Sequence, residues 1–258
     1  MNKYLAGFKK YGFLLGELTK KGVKLRYRRS YLGIVWTLLE PLFTMLVLTL
    51  VFSHILARGR EHFPLYILTG RLLYNFFAQG TRTAMKSVRA NASMIKKVYV
   101  PKYLYPLSSI MYNFIIFLIS LLIMAGTMIV SGVYPTVYLL QVFVPVILLF
   151  ILTFGMGMIL STVNVFFRDM EYIWDVGLML IMYTSAIFYY VNDLYGSPAY
   201  TLFYCNPLYA VIRLFRSAVF AAPMEPVWLL AASVSSLLSI VIGFAVFYWK
   251  QDKFILHI

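Results

Sequence analysis

The sequence predicts an all-α integral membrane protein. Six helices cross the bilayer, an amphipathic interface helix precedes them, and a re-entrant helical pair separates the fifth span from the sixth. Three observations carry this. Of 258 residues, 62% are hydrophobic and only 12% charged, whereas soluble domains run about 45–50% apolar and about 25% charged. Apolar runs of roughly 20 residues recur, the length a helix needs to cross about 30 Å of hydrocarbon. Lysine and arginine are concentrated between those runs, as in loops that face the cytoplasm.

The elements follow in chain order. Residues 3–29 carry nine basic side chains. Leu5, Phe8, Tyr11, Leu15 and Leu18 recur at three- and four-residue steps, which makes one apolar stripe. A lysine-rich amphipathic helix lies in the membrane interface rather than across it, so residues 1–32 form an interface helix and 33–258 the spanning domain. Spans are expected over 34–56, 64–84, 106–130, 137–166, 172–191 and 227–249. Residues 194–224 are apolar but broken by Pro198, Pro207, Pro223, Arg213 and Arg216. Broken backbone at membrane depth needs protein or a water-filled cavity around it. Two short helices that dip in from the outer face and return satisfy that rule.

The basic residues set the orientation. With the N-terminus inside, inner segments hold seventeen lysines and arginines and outer segments four, Arg58, Arg60, Arg213 and Arg216. This asymmetry places both termini in the cytoplasm. It also turns the net charge of +14 away from nucleic acid and toward membrane lipids. Cys205 is the single cysteine, so no internal disulfide forms, and no Cys/His cluster has metal-ligand spacing. No cleavable signal peptide is expected at the start, because charges interrupt every apolar stretch in the first 30 residues. No GxxxxGK[ST] loop is present, so ATP is not held in that way. Carboxylates are few within the spans, Glu40 in the first and Asp175 near the start of the fifth, which disfavours an ion-coupled transporter with a buried relay.

Three ordered stretches carry a resemblance. Arg26, Tyr27, Arg28, Arg29, Ser30, Tyr31, Leu32 and Gly33 lead to Trp36 and Glu40-Pro41. Asn164, Val165, Phe166, Phe167, Arg168 and Asp169 follow the fourth span. Asn206-Pro207 stands ahead of Arg213 and Arg216. In order, spacing and length, nearly the whole chain resembles the transmembrane subunits of ABC-2-type polysaccharide exporters, which move O-antigen, capsule or teichoic-acid chains. The resemblance implies a bacterial inner-membrane homodimer with its pathway between the copies. It implies two separate ATPase subunits that bind ATP and magnesium, and a lipid-linked polysaccharide substrate. This chain would then hold no cofactor and catalyse nothing itself. A drug or lipid exporter of the same fold is the nearest alternative. A membrane-embedded glycosyl- or acyltransferase is the alternative of another class, disfavoured because such an enzyme needs acid/base groups that converge at one membrane face.

Candidate residues fall into three groups. Within 86–102, Lys86, Arg89, Met94, Lys96, Lys97 and Val98 form an amphipathic cytoplasmic stretch. With the resemblance, it is expected to dock on the ATPase; the alternative is a basic anchor on lipid headgroups. Arg168 and Asp169, with Glu171, are either a second ATPase contact or a solvated turn. Glu40 and Arg82 lie at similar depth and are expected to pair, since intramembrane charges need partners. On the substrate side, Arg71 either faces the pathway or snorkels outward. Arg213 and Arg216 sit at the outer mouth or on headgroup phosphates. Nine aromatics crowd the 27 residues from Tyr183 to Tyr209. Tyr189, Tyr200, Phe203 and Tyr204 among them are expected to offer sliding surfaces to sugar, beyond an ordinary interfacial belt. His54 and His62 flank an outer loop and are expected to be solvated.

Overall fold

In the computed structural model, residues 2–28, 31–52, 62–98, 100–191 and 199–257 are described, with the side chains of 2–10 and 199–201 left out. His54, Arg58, Arg60 and Tyr195, and the side chain of Tyr200, therefore lie outside the described residues. The described chain is helical, in the order α1 (Asn2–Tyr27), α2 (Trp36–Phe52), α3 (Phe63–Ala90), α4 (Ala92–Ile95), α5 (Leu104–Val130), α6 (Phe143–Phe166), α7 (Met170–Thr184), α8 (Ala199–Cys205), α9 (Pro207–Val219), α10 (Pro226–Lys250) and α11 (Phe254–His257). Four segments are long and apolar enough to cross a membrane: Gly33–Phe52, Leu104–Val130, Val137–Phe166 and Pro226–His257.

The two remaining expected spans look different, for physical reasons. Helix α3 has 28 residues, about 42 Å at 1.5 Å per residue, but it is amphipathic. It packs against α2, α5, α6, α7 and α9, which bury Leu65, Leu68, Leu72, Leu73, Phe76 and Phe77. A helix clad by its neighbours does not need apolar residues all round. Helix α7 has 15 residues, about 22 Å, and stops short of the expected end at 191. Its C-terminus is followed by Ala186 at φ +49°, a left-handed backbone that ends a helix.

The tightest helix pair is α6 with α10. A Cβ added to Gly243 would lie 2.5 Å from the carbonyl oxygen of Gly155, so the two backbones touch. Ser236 and Ser239 share that seam, and Ser236 donates to Leu148 O at 3.1 Å. Small residues that let backbones meet, with hydroxyls bonding across, are how helices associate without a hydrophobic drive between them. The outward side of α10, including Leu230, Leu237, Val241 and Tyr248, is left exposed.

Two short helices, α8 and α9, occupy the proline-broken stretch. Pro207 starts α9, where a missing N–H costs nothing. Asn206 caps it, its side chain accepting from Leu208 N at 2.9 Å and Tyr209 N. The same amide donates to Thr184 Oγ1 and Ser185 Oγ, both at 2.9 Å. Asn206 thus fixes the start of α9 to the end of α7.

Candidate functional site

The basic end of the bundle gathers residues from α3, α6 and α7. Helix α3 does not stop at the expected 84 but runs on to Ala90, so Lys86, and Arg89 in its last turn, belong to it rather than to a separate helix. Burial of Ser87 and Val88 in that turn keeps the helix going. Glu171 accepts from Lys86 at 2.9 Å and lies 3.6 Å from Arg89. Buried Asn164 links Met85 O at 3.2 Å to Glu171 at 3.4 Å. The hydrogen bond from Lys86 holds the Glu171 carboxyl below the usual carboxylate range. The end of α3 and the junction of α6 with α7, far apart in sequence, therefore meet. Beyond this knot, α4 buries Ile95 and leaves Lys96, Lys97 and Val98 exposed, with Met94 half-buried. Phe167, Arg168 and Asp169 are exposed on the turn that leads into α7.

Farther along α3, the structure corrects one expectation. Arg82 does not pair with Glu40; its Nε donates to Asp175 Oδ1 at 2.6 Å. Trp174 donates to Thr81 at 3.0 Å, and Tyr74 donates to Leu178 O at 3.0 Å. These bonds lock α7 to α3 in a register that presents Asp175 to Arg82. Glu40 instead lines a polar pocket of about 60 Å³ with Arg26, Asn75, Gln79, Asn113 and Ser120. Arg26 donates to Asn113 at 3.1 Å and so ties the interface helix to α5. Arg71 is half-buried, 3.5 Å from Met182 Sδ and over the Tyr74 ring at 5.7 Å. Its Nε is buried with no hydrogen-bond partner.

At the other end, the expected outer-mouth residues divide. Arg216 is 8% exposed and serves the protein interior. It donates to Ala186 O at 3.0 Å and Tyr66 O at 2.9 Å, and covers the Tyr66 ring at 3.4 Å. Gly70 makes room for it, since a Cβ there would meet Arg216 Nη2 at 2.6 Å. Although three residues apart, Arg213 and Arg216 thus have different environments. Arg213 is half-exposed, paired with Glu225 at 2.6 Å and set over Trp228 at 5.0 Å. Phe203 is 3% exposed and packs on Tyr209 and Tyr189; the expected sugar surface does not include it in this arrangement. Tyr189 is half-buried and donates to Tyr183 O. Tyr204 is exposed, stacked on Trp228 with ring centroids 4.9 Å apart.

Among the described residues, no group of three or more His, Cys, Asp or Glu side chains could hold a metal ion. The ordered features of the arrangement are a basic knot at one end, charges along the flank of the central helix, and aromatic packing at the other end.

The family model described as ABC-2 type transporter matches residues 14–220. The chain belongs to the ABC-2 type transporter family. It is 28% identical over 243 residues to an O-antigen export system permease protein, RfbA, of Klebsiella pneumoniae, covering 93% of each chain. A protein of the same name from Myxococcus xanthus is 28% identical over 228 residues, 86% of this chain and 87% of that one. The polysialic acid transport protein KpsM of Escherichia coli is 23% identical over 256 residues, 96% and 97% of the two chains. The chain is accordingly an ABC-2 permease of the integral membrane class.

Within this ABC-2 chain, sequence reasoning found the basic knot's residues but missed its connections. Asn164 gave no local sign that it would reach Met85, 79 residues away. Tyr66, Glu225 and Trp228 went unnoticed because their partners are set by helix packing. Asn206-Pro207 did carry a readable signal, a capping amide followed by a first-turn proline.

Proposed function

We propose that this chain is the membrane-spanning subunit of an ATP-driven exporter that moves lipid-linked polysaccharide across the bacterial inner membrane. One observation carries the reading: end-to-end similarity to permeases named for O-antigen export, over 93% of both chains. Six spans are proposed, with α3 and the segment from α7 through Val191 crossing beside the four apolar helices, and α8–α9 dipping in from the outer face. Both termini then lie in the cytoplasm, in keeping with the excess of basic residues at that end.

In this reading a second copy of the chain completes the pathway. The exposed apolar stripe of α7, Tyr172, Val176, Met179 and Tyr183, repeats at four- and three-residue steps, the spacing of a helix seam. ATP and magnesium belong to two separate ATPase subunits. Those subunits meet Met94, Lys96, Lys97, Val98, Arg168 and Asp169, and Lys86 and Arg89 brace that surface through Glu171. Arg71 meets the substrate within the bilayer, and Tyr189, Tyr200, Tyr204 and Arg213 at its exit.

The reading is tested by deleting the gene in its own host. Lipid-linked polymer should accumulate on the cytoplasmic side, with surface polysaccharide lost and restored by the wild-type chain. Undiminished surface polymer in the deletion strain would overturn it.

A further inference from the structure

A groove of about 640 Å³ lies between the C-terminal half of α1, the last turns of α3 and the first turns of α5. Three cations line it, Lys21, Arg26 and Lys86, together with Ser109 and the Tyr112 ring. No carboxylate lines it among the described residues. Lys86 spends one contact on Glu171, and Arg26 one on Asn113. Each keeps further N–H groups to donate, and Lys21 is exposed. Two helices, α1 and α3, thus bring positive charge to one concavity, and α5 closes its third side with hydroxyls.

Packing holds the walls in place. A Cβ on Gly22 would collide with the Tyr112 ring, so α1 sits directly against α5. Position fixes the environment. Ser109 and Tyr112 are five and eight residues into α5, about 8–12 Å along its axis, and α1 is an amphipathic interface helix. That is the depth of the polar boundary of a bilayer, where the abundant anion is the phosphate of a lipid headgroup. Leu25, an exposed residue of the lining, offers the apolar surface that the start of an acyl chain requires.

We infer that this groove binds the phosphate headgroup of an anionic membrane lipid, which clamps α1 to α3 and α5. The inference requires only that the chain spans a bilayer and stands apart from what it exports. The bound lipid completes the interface between α1 and the helix turn that carries Lys86 and Arg89.

The test uses the purified full-length chain in neutral detergent, titrated with phosphatidylglycerol, with phosphatidylcholine, and with soluble glycerol phosphate. Retained lipid is read by native mass spectrometry and thermal stability. Phosphatidylglycerol should be retained and raise the melting temperature, and phosphatidylcholine should do neither. Lys21→Gln should weaken retention about fivefold, the loss of one charge near a membrane surface. Lys20→Gln, a neighbour paired with Glu17 at 3.0 Å and absent from the groove's lining, should leave it within about twofold. Equal retention of the two lipids by the wild-type chain overturns the site, whatever the variants do. So does an equal loss in Lys20→Gln and Lys21→Gln. Glycerol phosphate competing as well as the whole lipid overturns the lipid as source and leaves a free phosphate ester in its place.

Discussion

Arg82 donates to Asp175 across the α3–α7 contact at 2.6 Å. The two side chains are 37% and 56% exposed, so the pair contributes little more than about 1 kcal/mol in water-like surroundings. Asp175→Asn should lower the melting temperature in detergent by about 2–4 °C. The reversed pair, Arg82→Asp with Asp175→Arg, should recover most of that loss. An additive double variant, with each change costing its full single effect, would show that the two charges do not depend on each other. Changing Glu40 should not affect the outcome at Arg82.

The α6–α10 seam makes a sharper prediction. Gly155→Leu or Gly243→Leu inserts a side chain where backbone already touches backbone. Overpacking of that kind costs about 1–3 kcal/mol or more, and here no flexible side chain can move aside. Both variants should lose most properly folded protein, measured by size-exclusion after detergent extraction. Gly126→Leu, at a position with no neighbouring atom within 4 Å, should extract like the wild type.

Arg216 is predicted to be structural rather than substrate-binding. Arg216→Met leaves the carbonyls of Ala186 and Tyr66 only their neutral donors, Tyr66 Oη and Thr69 Oγ1, and each lost hydrogen bond from the charged guanidinium is worth about 1.5–3 kcal/mol. Loss of fold should accompany any loss of export. Arg216→Lys should be only partly tolerated, because one ammonium cannot reproduce the planar fork. A stable, monodisperse Arg216→Met that fails only in export would place the side chain in the pathway instead.

Glu171 governs the basic knot. Its carboxyl titrates below the usual range because Lys86 donates to it. The tie is therefore complete above the ordinary carboxylate value of about 4.3 and is lost as pH falls through the lower folded value. Glu171→Gln should imitate that loss at neutral pH. With cysteine at Val98 and Cys205 replaced, cross-linking to the ATPase should be efficient in an otherwise wild-type complex and diminished when Glu171→Gln is added. Cross-linking unchanged by Glu171→Gln would separate the knot from the docking surface.

The exposed ring of Tyr204 gives the aromatic prediction. Tyr204→Ala should slow export several-fold while leaving assembly and basal ATP hydrolysis near wild type. Tyr204→Phe should do less, since the stacked face on Trp228 survives. Export at the wild-type rate by Tyr204→Ala would make the ring part of an interfacial belt.

Much of this fold was legible in the sequence, and the unread parts share a cause. The spans expected over 106–130 and 227–249 match α5 and α10 to within two residues, because lipid-facing helices must be apolar on most sides. Composition could not define α3 or α7 as well, because neighbouring helices solvate their polar faces. The same logic applies to the sites. The Asn206-Pro207 cap was readable because its partners lie within three residues. The Arg82 partner was not, because Asp175 is 93 residues away, and depth along a helix fixes height but not facing. Arg213 and Arg216 carry the same signal in the sequence for that reason, although one meets Glu225 and the other is buried among carbonyls.

The central claim is most directly tested in proteoliposomes that hold this chain with an ATPase subunit that co-purifies with it and lipid-linked polysaccharide on the ATPase side. The account predicts polymer protected in the opposite compartment only when both subunits, ATP and magnesium are present, with hydrolysis stimulated by the lipid-linked glycan. Hydrolysis that ignores the glycan, with no polymer crossing in a correctly assembled complex, would contradict it.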